Sequence, residues 1–257
     1  DMVMRNIHAV TSHIRGKLEA SGTEDIDRRV LTFIPSKEDA DKLYCVVDGQ
    51  YWRIMVFIPN AITKQAVNPD SSRAAGKAFG EFQAMLADIP VTLGETIKDF
   101  HNMEFRLQQL REVIAKDPVG RVAEPEVQAM LKEIDARAEY MCQAERMGRE
   151  GILPKRVCHC DTKVNNMMFD QQDNVLCVID LDTVMPNFIF SDYGDFLRTG
   201  ANKVAEDHQD MDAVCFDVDI FKAFTEGYLA SASSFLTRVE IENLPYAVKL
   251  FPYMQCV

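Results

Sequence analysis

The sequence predicts an α+β protein with two lobes. Strand-like apolar runs separated by turn residues fill much of the first part of the chain, whereas helical periodicity dominates the rest. Strands first and helices afterwards are typical of this fold class. We expect a small lobe of one helix and antiparallel strands over 1–60, and a mostly helical lobe over 61–257.

The predicted small lobe begins with a helix, because apolar residues recur at helical spacing from Met2 onward. Strand-like runs at 30–34 and 43–47 follow. An Asp-Gly pair after the second run leads into a third run over 51–58. Asp-Gly between two apolar runs is the strongest short-range signal of a β-hairpin. We therefore expect a small antiparallel sheet packed against one helix.

The predicted large lobe contains three long helices, at about 71–87, 103–115 and 125–147. Two short strand-like runs then appear at 166–169 and 175–179, joined by turn-forming polar residues. Helical patterns resume after them. We expect this second hairpin to be embedded among helices.

Composition excludes several classes of function. The formal charge is −12, and Lys and Arg are not clustered, so the chain is unsuited to nucleic acid or to an anionic membrane surface. Apolar runs are too short to cross a bilayer. The seven cysteines are odd in number and mostly lie in apolar stretches. Reduced thiols of this kind indicate a cytoplasmic protein.

The most informative segment has the pattern His-x-Asp-x-x-x-x-Asn, followed by a hairpin whose second strand ends in Asp180. Phosphoryl transfer requires a group that orients the attacking hydroxyl and oxygens that hold Mg²⁺ on the phosphates. Asp161 can accept the hydroxyl proton, and Asn166 and Asp180 can supply the hard oxygen ligands that Mg²⁺ prefers. Each residue alone is weak evidence, since an Asp after a strand is often a cap or turn residue. The ordered set predicts phosphoryl transfer.

Residues 157–182 resemble the catalytic loop and metal-binding strand of the phosphotransferase family that contains aminoglycoside, choline and homoserine kinases. The resemblance covers nearly the whole chain and is strongest to bacterial N-acetylhexosamine 1-kinases. The blocks 179–186 and 192–198 are the most specific to that subgroup. The resemblance implies a protein-kinase-like two-lobed fold, ATP and Mg²⁺ as cofactors, and the anomeric hydroxyl of an N-acetylhexosamine as the phosphoryl acceptor.

The resemblance also implies roles for individual residues around the reaction. Asp161 is expected to be the catalytic base, and Asn166 and Asp180 the Mg²⁺ ligands. His159 corresponds to a motif histidine that braces the loop. Lys163 is expected to touch the transferring phosphate, although a solvated loop lysine is nearly as common an explanation.

Further residues are assigned by the same resemblance. Phe57 and Ile58 fall at the hinge, where backbone groups would bind adenine. Asp192 and Asp195 fall where the family has a buried Asp that supports the catalytic loop. Simple helix capping explains these two equally well.

The residues that would bind the substrate are the ones that the sequence defines least. Asp182 is expected to reach the sugar or the metal, and an exposed turn carboxylate is the alternative. Arg198 is expected to bind sugar hydroxyls together with Asp161 and Asp182. Choline would instead require an aromatic cage around its quaternary ammonium, and no aromatic cluster lies beside the catalytic loop in the sequence.

Two departures from the family pattern keep alternatives open. Cys160 stands where most of the wider family has Gly, and no Gly-rich loop precedes the first helix. We therefore expect a truncated N-terminal lobe and a longer parent protein. One alternative is a kinase of the same fold for choline, another amino alcohol or an aminoglycoside, which the acidic charge favours. The other is a truncated, non-catalytic binding protein.

Overall fold

The computed structural model describes residues 2–40, 42–204 and 208–257, so Asp1 and Asp41 of the predicted small lobe lie outside it. The α+β prediction is confirmed. In chain order the elements are α1 (Met2–Ala20), β1 (Cys45–Val47), β2 (Gln50–Trp52), α2 (Pro69–Leu86), α3 (Met103–Lys116), α4 (Pro125–Met141), α5 (Gln143–Arg149), β3 (Arg156–Cys158), β4 (Met167–Phe169), β5 (Val175–Val178), β6 (Met185–Asn187), α6 (Phe190–Gly200), α7 (Val218–Ala232), α8 (Arg238–Glu242) and α9 (Leu244–Cys256). None of the described helices is both long and apolar enough to cross a membrane.

Helix α1 is buried along one face, as its periodicity predicts. Ile7 and Val10 are fully buried and belong to a core that also contains Phe82 of α2 and Cys177 of β5. Side chains from both sides of residue 60 therefore share one core. The division of the chain into lobes at that residue remains a prediction.

The first hairpin has the turn that its sequence predicts. β1 and β2 pair antiparallel, with Val47 opposite Gln50. Asp48 and Gly49 have φ angles of 51° and 75°, the positive values that a tight two-residue hairpin turn requires. The turn conformation is therefore the one that the Asp-Gly pair predicts.

The prediction of a third strand, over 30–34, in the small antiparallel sheet is wrong. The run 30–34 forms no strand, and only Phe33 makes an isolated bridge, to Met55. Two hydrogen bonds hold this bridge, from Ile34 N to Ile54 O (2.9 Å) and from Val56 N to Thr32 O (2.8 Å). Pro35 follows at once and has no N–H to extend the ladder. The sheets of the described residues are instead three two-stranded ladders, β1–β2, β3–β6 and β4–β5.

Helices α2 and α7 pack unusually closely at three glycines. A Cβ on Gly227 would lie 2.0 Å from the carbonyl oxygen of Arg73, and one on Gly76 would lie 2.2 Å from that of Phe224. Only glycine at these positions allows the two backbones to come this close. The pair is also connected to α6, because the Gln83 side chain of α2 donates a hydrogen bond to a carboxylate of that helix.

The prediction of a single helix over 125–147 is also wrong. α4 ends at Met141 and α5 starts at Gln143, with Cys142 between them. The Tyr246 hydroxyl donates to the carbonyl of Met141 (2.6 Å) and accepts from the N–H of Ala144 (3.4 Å). A side chain inserted into the hydrogen-bond ladder is a recognised cause of a helix break.

Candidate active site

The loop 159–166 is held by two antiparallel ladders. β3, which leads into the loop, pairs with β6 through Cys158 and Met185. β4, which leaves the loop, pairs with β5. A further hydrogen bond from Ile179 N to Asn166 O (2.9 Å) extends this pairing and places Asp180 directly beyond Asn166 on the neighbouring strand. The hairpin thus has the arrangement that the sequence predicts.

Asp161 lies at the centre of this loop and is partly exposed. The Asn166 side-chain amide donates to the Asp161 carboxylate Oδ2 (3.0 Å) and to its backbone oxygen (2.8 Å). The Lys163 ammonium lies 3.3 Å from Oδ1. These contacts fix the orientation of a carboxylate that remains accessible to a substrate hydroxyl.

His159 is fully buried, and both nitrogens of its ring form hydrogen bonds with the backbone. The Asp161 N–H donates to Nδ1 (3.2 Å), while Nε2 donates to the carbonyl of Ile179 (2.7 Å). This pairing assigns the tautomer with hydrogen on Nε2. The ring therefore links the catalytic loop to the strand that carries Asp180, and its position agrees with the predicted bracing role.

Asp192, in the first turn of α6, is bonded to the loop and does not cap its own helix. Its carboxylate accepts from the N–H groups of His159 (3.0 Å) and Cys160 (2.8 Å) and from the side-chain amide of Gln83 (2.7 Å). Burial raises the pKa of Asp192, while the nearby His159 and the donated hydrogen bonds oppose the rise. The carboxylate supplies the acceptors that two buried loop N–H groups need.

Asp195 and Arg198 continue the same network one turn later. Asp195 accepts from the N–H of Thr162 (2.9 Å) and forms an ion pair with Arg198 (2.9 Å). Only 8% of the Arg198 side chain is exposed, so this predicted substrate ligand is anchored to a carboxylate. Burial raises the pKa of Asp195.

Cys160 has a φ of 65°, in the left-handed region. Glycine enters this region freely, whereas a residue with a Cβ pays a conformational penalty of about 1–2 kcal/mol. The geometry gives a physical reason for the glycine that most of the wider family has here. Cys160 is buried, and its conformation is held because its own N–H and that of His159 both donate to the Asp192 carboxylate of α6.

Asn166 and Asp180 fit a divalent ion that is shared with a nucleotide. The Asn166 amide nitrogen serves Asp161, so its amide oxygen is the atom left for a metal. Asp180 is exposed and has a left-handed backbone with φ 58°. In the described part of the chain no three His, Cys, Asp or Glu side chains converge on one point. Mg²⁺ usually takes one or two protein oxygens and completes its shell with water and phosphate, which matches this pair.

The remaining predicted residues lie toward the small lobe. Asp182 forms an ion pair with Arg53 (2.6 Å), which links the segment after β5 to the segment that follows β2. Phe57 is 84% exposed, whereas Ile58 is buried in the core around α1. A hinge role for these two residues concerns their backbone groups, which the burial of Ile58 would hold in place.

Sequence reasoning missed two polar residues near this site. His101 and Glu145 line a cavity of about 510 Å³ beside β6. His101 stacks on Phe100 (4.3 Å between ring centroids) and lies edge-on to Phe251 (4.9 Å). Burial, followed by the positive charge of Arg106, lowers the pKa of His101 to about 3, so the imidazole is neutral. Neither residue stands in the catalytic pattern, so spacing gave no signal for them.

The fold and the loop geometry define a phosphotransferase of the protein-kinase-like class. Residues 28–221 match the model of the phosphotransferase enzyme family, and this chain belongs to that family. The matched range contains the catalytic loop, both strands of its hairpin and α6.

Similar solved structures support the fold. An aminoglycoside phosphotransferase from Alicyclobacillus acidocaldarius shares 15% identity, with a TM-score of 0.61, over 97% of this chain and 70% of its own. An amicoumacin kinase solved with AMP-PNP, Ca²⁺ and Ami shares 14%, with a TM-score of 0.59, over 97% and 68%. A choline/ethanolamine kinase family protein from Mesorhizobium loti shares 14%, with a TM-score of 0.51, over 98% and 68%. At these identities the likeness establishes the fold alone.

Proposed function

We propose that this phosphotransferase is an ATP-dependent kinase that phosphorylates the anomeric hydroxyl of an N-acetylhexosamine. The observation that carries the kinase assignment is the Asp161 carboxylate, held by Asn166 and Lys163, with Asn166 paired to the residue that precedes Asp180. A base, a cation for phosphate and two hard oxygen ligands are the groups that phosphoryl transfer needs. They come from one loop and one hairpin.

In the proposed reaction the acceptor hydroxyl donates its hydrogen bond to Asp161. The hydroxyl oxygen forms a bond to the γ-phosphorus of ATP, the bond from that phosphorus to the bridging oxygen breaks, and ADP leaves. The hydroxyl proton passes to the Asp161 carboxylate. Lys163, whose ammonium lies 3.3 Å from Asp161, would offset the charge of the transferred phosphoryl group. Mg²⁺ held by Asn166 and Asp180 would neutralise charge on the phosphates.

Nucleotide binding is assigned to the backbone at Phe57 and Ile58 on the basis of the family resemblance. The AMP-PNP in the amicoumacin kinase supports a nucleotide for this fold. Ile58 packs into the core, so the backbone beside it is a rigid place for adenine to bind.

The acceptor is assigned from the blocks 179–186 and 192–198, which resemble the N-acetylhexosamine kinases. Asp182 and Arg198 remain the proposed sugar-binding groups. The charge of Arg198, like that of Asp161, influences the pKa of His101 in the cavity beside β6, which supports a place for Arg198 on the substrate side. Its ion pair with Asp195 would hold the guanidinium ready for hydroxyl groups.

A second candidate is a kinase for an amino alcohol or an aminoglycoside. The observation that favours it is charge: the chain carries −12, and the cavity beside β6 contains the acids Glu95, Asp99 and Glu145. Acidic walls attract cationic substrates.

A coupled assay for ADP release by the full-length protein decides between these functions. N-acetylglucosamine, N-acetylgalactosamine, ethanolamine, choline and kanamycin would each be supplied with ATP and Mg²⁺. We expect turnover with an N-acetylhexosamine, and the product should be a sugar 1-phosphate. Turnover with only the amines would replace the acceptor assignment and leave the kinase assignment intact. No turnover with any of a wider set of alcohols would contradict both.

A further inference from the structure

The cavity beside β6 contains a buried carboxylate whose second oxygen has no partner. The cavity, of about 510 Å³, is enclosed by the segment before α3, by α5 and by β6. Phe100, on its wall, packs against Cys158 and Cys160 of the catalytic segment and against Met185 of β6. The cavity therefore adjoins the backbone that positions Asp161.

Glu145 is only 9% exposed. Its Oε1 accepts a hydrogen bond from the N–H of Met103 (2.7 Å), the first residue of α3. Its Oε2 is buried and has no hydrogen-bond partner among the described residues. A buried acceptor without a partner costs free energy, so this atom is a site where a ligand donor would be favourable. Burial raises the pKa of this carboxyl to about 7.

The cations around the cavity already have partners. Lys155 pairs with Glu95 (2.9 Å), and Arg149 pairs with Glu104 (2.6 Å). His101 is neutral, and its buried Nδ1 likewise lacks a partner among the described residues. The interior therefore presents hydrogen-bonding atoms without a free positive charge, between apolar side chains such as Phe188. Such a lining suits a small hydrogen-bond donor better than a phosphate.

We propose that Glu145 is a specificity-determining residue of the kinase, and that its Oε2 accepts a hydrogen bond from a hydroxyl or N–H group of the phosphoryl acceptor. The inference rests on the proposed function, which it deepens by assigning the cavity to the acceptor. Sugar hydroxyls, an acetamido N–H and an ammonium group share this donor chemistry. Phe100 and Phe188 would cover the apolar face of the same molecule.

The test is Glu145→Gln in the full-length protein. Glutamine retains an oxygen for the Met103 N–H and places an NH₂ group where Oε2 stood. We expect the KM of the acceptor to rise roughly 10- to 100-fold, the range for a hydrogen bond to a charged group. The KM of ATP should change less than twofold. Glu139→Gln is the matched control, because it removes an exposed acid of α4 that does not line the cavity, and it should change neither constant.

Comparing several phosphoryl acceptors distinguishes the possible hydrogen-bond donors to Glu145. If the KM rises only for N-acetylglucosamine and N-acetylgalactosamine, the donor to Glu145 is a hydroxyl or acetamido group. If it rises only for ethanolamine, the donor is an ammonium group. An unchanged acceptor KM in an active Glu145→Gln enzyme would overturn the proposal while the proposed function stands. If the wild type turns over none of these compounds, the proposed function fails, and calorimetric titration of each compound into both proteins decides separately on Glu145. Weaker binding to the variant supports the proposal, and equal or absent binding overturns it.

A measurement on the wild type keeps the test independent of how the variant folds. The Met103 amide is bonded to Glu145, so its ¹⁵N–¹H resonance reports on that carboxylate. We expect it to shift when the acceptor is added to saturation. No shift of this resonance in the presence of a bound acceptor would place the acceptor elsewhere.

Discussion

The catalytic loop and the β1–β2 hairpin are both short segments with strong local sequence signals, yet they are stabilised differently. In the loop, the N–H groups of four successive residues, 159–162, are bonded to the side chains of His159, Asp192 and Asp195. In the hairpin, all six strand residues are exposed. The loop geometry depends on partners distant in sequence, whereas the hairpin depends on its Asp-Gly turn. Substitutions should therefore have large effects in the first region and small effects in the second.

The largest expected effect is on catalysis by the loop. Asp161→Asn removes the proposed base but keeps a side chain that can still contact Asn166 and Lys163. We expect turnover to fall roughly 10²- to 10⁴-fold, the usual contribution of general base catalysis. Steady-state kinetics of the full-length protein would measure this loss, and thermal melting should show an unchanged fold.

Asp180→Ala provides the contrast, because it removes a proposed metal ligand instead of the base. Titration with a nucleotide analogue should show that Asp161→Asn still binds nucleotide in Mg²⁺, while Asp180→Ala does not. Unchanged turnover in Asp161→Asn would show that another group takes the proton.

The second effect concerns the support of the loop. Asp192→Ala leaves the N–H groups of His159 and Cys160 and the Gln83 amide without their acceptor. Leaving buried polar groups unpaired costs about 1–3 kcal/mol each, so we expect a loss of at least about 3 kcal/mol in the free energy of unfolding. Urea denaturation of both proteins would measure it.

Asp217→Ala is the matched control. Asp217 caps α7 by accepting from the N–H groups of Asp219 and Ile220, and loss of a cap typically costs about 1 kcal/mol. Equal losses in the two variants would mean that Asp192 is no more than a helix cap.

The same contrast explains what could be predicted from the sequence. The spacing of Asp161, Asn166 and Asp180 identified the loop and its hairpin, and Asp-Gly identified the first hairpin, because both signals are local. The break between α4 and α5 could not be predicted, since Tyr246 causes it from about a hundred residues away. Glu145 gave no signal for a similar reason, because the group that it binds, the N–H of Met103, lies 42 residues earlier in the chain.

The third prediction concerns a buried carboxylate that, unlike Asp192, has an unpaired oxygen. Burial raises the pKa of Glu145 from 4.5 to about 7, and the charged groups that face it are Glu104 on α3 and Arg149 on α5. A raised pKa means that the folded state binds the proton more tightly than the unfolded state. The resulting stability is complete below pH 4.5 and is lost as the pH rises to about 7.

Glu145→Gln removes this pH dependence. Relative to wild type, the variant should gain stability between pH 4.5 and pH 8, by up to about 3 kcal/mol for the full difference in pKa. Denaturation at several pH values measures the gain, and Glu139→Gln, which removes an exposed acid of α4, should show almost none. A pH-independent difference would mean that Glu145 is paired or solvated in solution.

The smallest effect is expected in the hairpin. Trp52 is 58% exposed in β2, so Trp52→Thr removes a large side chain that buries little area and replaces it with a good strand former. We expect the free energy of unfolding to change by less than about 0.5 kcal/mol, as for most surface substitutions. Ile7→Ala in α1 is the control for the same lobe. Ile7 is fully buried, and such truncations cost about 2–5 kcal/mol, so the two variants together separate the core beneath the hairpin from the hairpin itself. A loss above about 2 kcal/mol for Trp52→Thr would reverse the comparison, because the hairpin would then be stabilised by a tertiary contact of its indole and not by its turn.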